Sequence, residues 1–286
     1  MAEELERLLA LLDLEPLEVD YFRGLSPQRP WQRVFGGQVL GQALVAAQRS
    51  VESRYAHSFH AYFLRLGDRR SPILYQVDRT RDGRSFTTRR VVAVQHGQAI
   101  FHMEASFHRD ERGPEHQCAM PEVPDPDSLP SWRERMQPLE SQLPGEAREW
   151  LHREPFDVRP VTDVDPLAPG KLPPSLELWL RVRGELAPEP WLHQCLAAYA
   201  SDLSLIDTIC LPHAIGVLNP GYQFASLDHA MWFHRPFRAD EWLLYSQRSP
   251  VAAGARGFAT GQLFTREGEL AVSVVQEGLV RPVKPR

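Results

Sequence analysis

The chain has 286 residues, 43% of them hydrophobic and 24% charged, which is enough to bury a substantial core and ordinary for a globular protein. A formal net charge of −5 argues against a nucleic-acid binder, which would carry a basic stripe. Three cysteines without CxxC spacing exclude a disulfide framework and a cysteine zinc site, and they fit a reducing cytoplasm.

The first segment, MAEELERLLALLDLEPLE, is acidic and amphipathic, so it does not read as a signal peptide. Leu5, Leu8, Leu9, Leu11 and Leu12 predict one face of a short docking helix. Phe35 to Val51 predicts a helix apolar nearly all round, hence buried, with Gly36, Gly37 and Gly41 allowing close helix–sheet contact. Strands are predicted at Ser58–Leu66, Ile73–Thr80, Ser85–Gln95 and Ala99–His108, with turns at Asp82-Gly83 and His96-Gly97. His57 and His60 are an odd number apart, which places them on opposite faces of one strand and disfavours a metal pair. Prolines then crowd the chain, from Pro114 and Pro121 to Pro173 and Pro174. They predict a wrapping linker with one short helix near Trp132–Leu139. A second helical region, His193–Ile209, precedes strands at Ala225–Arg235, Trp242–Pro250, Arg256–Thr265 and Leu270–Val280. No apolar run is read as a membrane span, and the final VKPR is not a peroxisomal address.

The two halves repeat one another. HAYFLRLGDRRSPILYQVDRT (His60–Thr80) answers HAMWFHRPFRADEWLLYSQRS (His229–Ser249), with Arg65 meeting Arg235 and Tyr75 meeting Tyr245, both 170 residues on (235 − 65, 245 − 75). Downstream, Gly97 meets Gly268 and Ser106 meets Gln276; upstream, Phe35–Val39 set against Tyr199–Leu203 puts Asp202 in the place of Gln38. Sequential strands joined by tight turns make each copy an α+β unit, an antiparallel sheet on a helix. The predicted boundaries are 1–110 for the first copy, 111–155 for the linker and 156–286 for the second.

G-x-S-x-G, G-x-x-x-x-G-K-[ST] and H-E-x-x-H are all missing. Asp202, inside the apolar run AAYASDLSLIDTICLP, is a local inconsistency. An ionised carboxylate there would cost about several kcal/mol unless a helix terminus, donors or a wet cleft supports it. Its plain reading is a helix N-cap, which does not exclude chemistry. Gln276, in the otherwise apolar AVSVVQEG, is the second inconsistency; its plain reading is a surface-facing strand residue.

Taken together, FRGLSPQRPWQRVFGGQVLGQAL, HSFHAYFLRLGD, RDGRSFTTRRVVAVQ, YASDLSL, SLDHAMWFHRPF, EWLLYSQRSPVAAGARGF and VVQEGLVR resemble the type II acyl-CoA thioesterases from about Leu5 to Arg281. That resemblance implies two fused hotdog repeats, each an antiparallel sheet wrapped on a central helix. It further implies an Asp, a hydroxyl residue and a Gln around one water, here Asp202, Ser226 (Thr in some relatives) and Gln276. The expected reaction is hydrolysis of acyl-CoA to free acid and coenzyme A by direct attack of water. An acyl-enzyme is not expected, because no Ser or Cys nucleophile with an adjacent His is visible. Coenzyme A phosphates would meet Arg84, Arg89, Arg90 and Arg256, and Trp232 and Phe233 would line an acyl tunnel. No metal, cofactor, nucleic acid or membrane partner is expected, and the chain is expected to be a cytoplasmic homo-oligomer. Gln38 and Ser106 in the first copy leave one working site per chain. The alternatives are a non-catalytic acyl-CoA-binding protein and a hotdog enoyl-CoA hydratase. The hydratase needs a His shortly after the Asp, where Asp207 stands and no His appears until His213.

Overall fold

The computed structural model describes residues 2–27, 33–143, 145, 148, 155–165, 167 and 169–283. Met1, residues 28–32 of the first family motif, residues 144, 146–147 and 149–154 of the predicted linker, Pro166, Ala168 and the C-terminal residues 284–286 lie outside the described residues. The first half contains α1 (Ala2–Leu12), β1 (Glu15–Glu18), β2 (Tyr21–Gly24), α2 (Gly36–Gln48), β3 (Tyr55–Phe63), β4 (Ile73–Asp82), β5 (Phe86–Gln95) and β6 (Gln98–His108). A short helix, α3 (Trp132–Met136), lies in the connection. The second half contains β7 (Phe156–Pro160), β8 (Ser175–Val182), α4 (Pro190–Ser201), α5 (Leu205–Cys210), β9 (Tyr222–Ser226), β10 (Asp228–Phe233), β11 (Leu243–Ala253), β12 (Arg256–Thr265) and β13 (Leu270–Pro282).

All these strands join one sheet in the order β1-β2-β4-β5-β6-β3-β10-β13-β12-β11-β8-β7, with β9 added to β13. The order reads the same from both ends once β1, β2, β4, β5, β6 and β3 are exchanged for β7, β8, β11, β12, β13 and β10. At the centre, Phe59 pairs with Met231, His60 with Ala230 and Ala61 with His229. These pairs are self-consistent for one offset (229 − 59 and 231 − 61 both equal 170), so a pseudo-two-fold axis passes through the His60–Ala230 pair. This is a double hotdog. β1, β2, β7 and β8 were not among the predicted strands; they supply the two outer ends of the sheet.

Each copy fixes its helix to its sheet with the tyrosine of the repeat motif. Tyr75 on β4 donates to Gln42 Oε1 on α2 at 2.8 Å, and Tyr245 on β11 donates to the Ser201 carbonyl at the end of α4 at 2.9 Å. Both rings are fully buried, so their hydroxyls need those partners. α2 and α4 pack against each other antiparallel, Gly37 facing Tyr199 and Gly41 facing Cys195. A Cβ on Gly37 would collide with the Tyr199 carbonyl, and one on Gly41 would sit 3.2 Å from the Cys195 carbonyl. Gly37 and Gly41 therefore serve a helix–helix contact rather than the expected helix–sheet one.

Several sequence expectations change. The predicted second helix is broken at 202–204 into α4 and α5. The run Pro190–His213 does have the length and mean hydropathy, 1.2, of a membrane span, but 72% of its apolar window is buried inside the fold. The predicted strand Ala225–Arg235 is interrupted at Leu227, whose N–H turns to the Glu277 carbonyl at 2.9 Å. A bulge between Ala56 and Ser58 undoes the alternation expected for His57 and His60. His57 bonds Ser106 at 2.8 Å on the outer face, the face that also carries His60 opposite Glu104.

Finally, the copies slip by one residue past the last hairpin. Ala93 pairs with Phe101 and Leu263 with Val272, so the offset grows from 170 (263 − 93) to 171 (272 − 101). Gln276 therefore corresponds to the inward Ala105, not to Ser106, because a one-residue slip turns a strand side chain to the other face. The helix ends correct the other pairing. Asp202 caps the C-terminus of α4 as Arg49 caps that of α2, so Asp202 does not stand in the place of Gln38.

Candidate active site

Asp202 is half-buried just past the last residue of α4, with φ −87° and ψ 3°, so it is not the N-cap of its own helix. Ser226 ends β9, where the break at Leu227 begins, and Gln276 points inward from β13 with no exposure. The structure brings the three together. Ser226 Oγ and Gln276 Nε2 each donate to Asp202 Oδ1 at 2.9 Å, and Gln276 Nε2 also donates to Ser226 Oγ at 2.7 Å.

The other repeat completes the arrangement. The Gly37 N–H, in the first turn of α2, donates to the Asp202 carboxylate. A Cβ on Gly36 would fall 2.5 Å from Asp202 Oδ2, so only glycine leaves room there. The carboxylate thus lies at the positive end of α2, which favours its charge. Burial nevertheless dominates and pushes the Asp202 carboxyl up to about 6, while the bonds from Ser226, Gln276 and Gly37 limit the rise. The group is a carboxylate at neutral pH with a proton affinity well above that of an ordinary Asp.

Asp202 and Ser226 open into a cavity of about 1100 Å³ lined from both repeats. Phe63 and Phe101 come from the first copy, Leu178 and Leu203 from the second, and Trp132 and Met136 from α3. The proline-rich connection is therefore a wall of the site. Asp207, on α5, also lines this cavity. Burial alone pushes its carboxyl up to about 7.

The predicted arginines lie elsewhere. Arg89 is 2% exposed and is consumed inside the fold by Ser50, Asp82 and the Arg81 and Thr88 carbonyls, leaving its guanidinium no face for a ligand. Arg84, Arg90 and Arg256 are exposed but absent from the cavity lining, and Arg256 is paired with Glu277 at 2.9 Å. Trp232 lies edge-on to His60 at 5.2 Å, and Phe233 packs on Phe59 at 6.3 Å; neither lines the cavity. The guanidinium groups on the cavity are instead those of Arg33, Arg65 and Arg69, and Arg69 Nη1 is buried without a partner. Arg65 was visible in the repeated block, but only its match to Arg235 was informative there.

Residues 151–279 match the family model described as acyl-CoA thioesterase, and residues 27–108 match that of the acyl-CoA thioesterase N-terminal domain. The sequence is 43% identical to acyl-coenzyme A thioesterase 8 of Homo sapiens, over 96% of this chain and 89% of that one. It is 41% identical to acyl-CoA thioesterase 2 of Haemophilus influenzae, over 98% of this chain and 99% of that one. The chain belongs to the acyl-CoA thioesterase family. Its closeness extends to structure: an acyl-CoA thioesterase II from Mycobacterium marinum superimposes with a TM-score of 0.80 at 47% identity, covering 96% of this chain and 98% of that one. The chain is, as a family member, a thioester hydrolase with a double hotdog fold. A hotdog protein from Alicyclobacillus acidocaldarius, with TM-score 0.76 but 16% identity, shares the fold alone.

Proposed function

We propose that the chain hydrolyses acyl-CoA thioesters by direct attack of a water held at Asp202, Ser226 and Gln276. One observation carries this reading: a carboxylate of raised proton affinity, bonded to a hydroxyl and an amide, faces an apolar cavity large enough for an acyl chain.

A thioester carbonyl is already electrophilic, so what neutral water lacks is orientation and a base. Asp202 takes one proton as the water oxygen bonds to the carbonyl carbon. Ser226 and Gln276 keep carboxylate and water in register. The tetrahedral oxyanion is stabilised by backbone N–H groups at the start of α2. Its collapse breaks the C–S bond, and the thiolate leaves with the proton that Asp202 took up, giving the acid and coenzyme A. Leu178, Leu203 and Phe63 would hold the acyl chain, and Arg33, Arg65 and Arg69 the phosphates.

The test is thiol release from a series of saturated acyl-CoAs by wild type and Asp202→Asn side by side. The reading requires release by wild type and a loss of about 10³-fold or more in the folded Asn variant. Equal activity in both proteins would move the reaction away from Asp202.

A further inference from the structure

Gln276 can hold its two donors on Asp202 and Ser226 only if its amide is prevented from turning over. Its Nε2 gives one N–H to each of them, and its Oε1 is buried without a hydrogen-bond partner. His229 on β10 is fully buried and lies across the sheet from it, next to the Ala230–Val275 pair. Its Nδ1, like Gln276 Oε1, is buried without a hydrogen-bond partner. Its second nitrogen, Nε2, is 2.9 Å from Ser201 Oγ.

Burial pushes the His229 ring down to about 3, so it is neutral and carries one N–H. With that proton on Nδ1, the ring donates to Gln276 Oε1 while Nε2 accepts the Ser201 hydroxyl. With the proton on Nε2, two bare acceptors face each other in the core, each costing about 1–3 kcal/mol. The first arrangement pairs Oε1 and both ring nitrogens, and it turns the one Ser201 hydroxyl proton to Nε2 and away from the Ala198 carbonyl, which lies 2.9 Å from the same Oγ.

The first repeat provides a comparison within the same chain. The residues at the places of His229 and Gln276 are Phe59 (229 − 170) and Ala105 (276 − 171), both fully buried. The Phe59 and His229 rings even stack across the axis, 6.2 Å apart. A hotdog sheet therefore closes with a phenyl ring at this position. The polar pair occurs only in the half that carries Asp202.

We propose that His229 is a positioning residue: its Nδ1–H holds the Gln276 carbonyl inward, so that the amide N–H groups face Asp202 and Ser226. This rests on the reading of those three residues as the hydrolytic site. Without the ring the amide can turn over, setting Oε1 against the Asp202 carboxylate and depriving Ser226 of its donor. The groups facing Asp202 are Ser226 from β9, Gln276 from β13, the Gly37 N–H from α2 and Tyr245 from β11, whose hydroxyl lies on Ser201 O. No charged side chain contributes to its shift, so a turned amide would be felt directly.

The experiment compares wild type, His229→Phe and His229→Asn by thermal unfolding, by kcat and KM on a saturated acyl-CoA from pH 5 to 9, and by ¹⁵N NMR of the ring. His229→Phe is expected to fold, to lose about 10- to 100-fold in kcat with KM within about twofold, and to move the acid limb upward by about one pH unit. His229→Asn, which can place an N–H near Nδ1, should recover most of the rate and the original limb. The ¹⁵N signals, assigned by their loss in His229→Phe, should show a neutral ring protonated on Nδ1. A folded His229→Phe within threefold of wild type with an unmoved limb would overturn the proposal. So would equal impairment of both variants with an unmoved limb, or a ring protonated on Nε2. A wild type that hydrolyses no acyl-CoA would sink the hydrolytic reading alone, since the tautomer still decides what His229 does to Gln276.

Discussion

Gly36 and Asp202 belong to different repeats, and the carboxylate of one fills the space that a side chain on the other would need, 2.5 Å from where that Cβ would lie. The substitution Gly36→Ala should therefore separate activity from stability. Gly36 opens α2 without a left-handed φ, so alanine restricts the unfolded chain by about 0.4–1 kcal/mol and the melting temperature should hold or rise. The displaced carboxylate should cost about 10²-fold in kcat. Unfolding curves and steady-state kinetics on the same preparation check both halves.

Ser226 should tolerate Thr and not Ala. Threonine keeps the hydroxyl that donates to Asp202 and accepts from Gln276. Alanine leaves Gln276 Nε2 one acceptor short in a buried site. Expected kcat values are within about threefold of wild type for Ser226→Thr and about tenfold or more below it for Ser226→Ala.

The pH dependence of hydrolysis follows from the state of Asp202. The base must be ionised, and its carboxyl is held up at about 6, so kcat/KM should rise with pH and level off above about 7. An acid limb near 4, the ordinary value for Asp, would contradict the burial of this group.

Asp207 and Asp202 should also impose a pH dependence on folding. Both carboxyls are raised, to about 7 and about 6, above the unfolded value of about 3.9. Between those values the native chain binds more protons than the unfolded one, so stability should fall as pH rises from about 4 to 7. Asp207→Asn removes one contribution. It should flatten the curve and stabilise the protein by about 1–3 kcal/mol at pH 8, as read by urea unfolding at several pH values.

One site per chain is the expected stoichiometry. In the first repeat Arg49, Phe59 and Ala105 stand where the second has Asp202, His229 and Gln276. Calorimetric titration with a non-hydrolysable acyl-CoA analogue should give one equivalent. Two equal sites would contradict the asymmetry.

The duplication, the buried helices and the long strands were legible because each leaves a periodic trace: Tyr75 and Tyr245 repeat at one offset and do the same job. Asp202 and Gln276 stood out because a carboxylate and an amide disrupt apolar runs. What the sequence hid depends on single-residue registers. The bulge at Ala56, the slip at the last hairpin and the break at Leu227 each add or lose one position, and each turns the downstream side chains to the opposite face. The arginines failed for a related reason. Arg89 and Arg69 look alike along the chain, yet one is sealed within the fold and the other opens onto the cavity.

The pairing of β3 with β10 places the axis of symmetry inside one polypeptide. In a dimer of separate single repeats, any change at one half of the joint appears at the other as well, and two identical reaction centres must survive every mutation together. Joining the copies releases that coupling. Arg49, Phe59 and Ala105 show what half a symmetric machine becomes when it no longer has to react: its positions turn to packing, and its helix lends an N-terminus to the half that does.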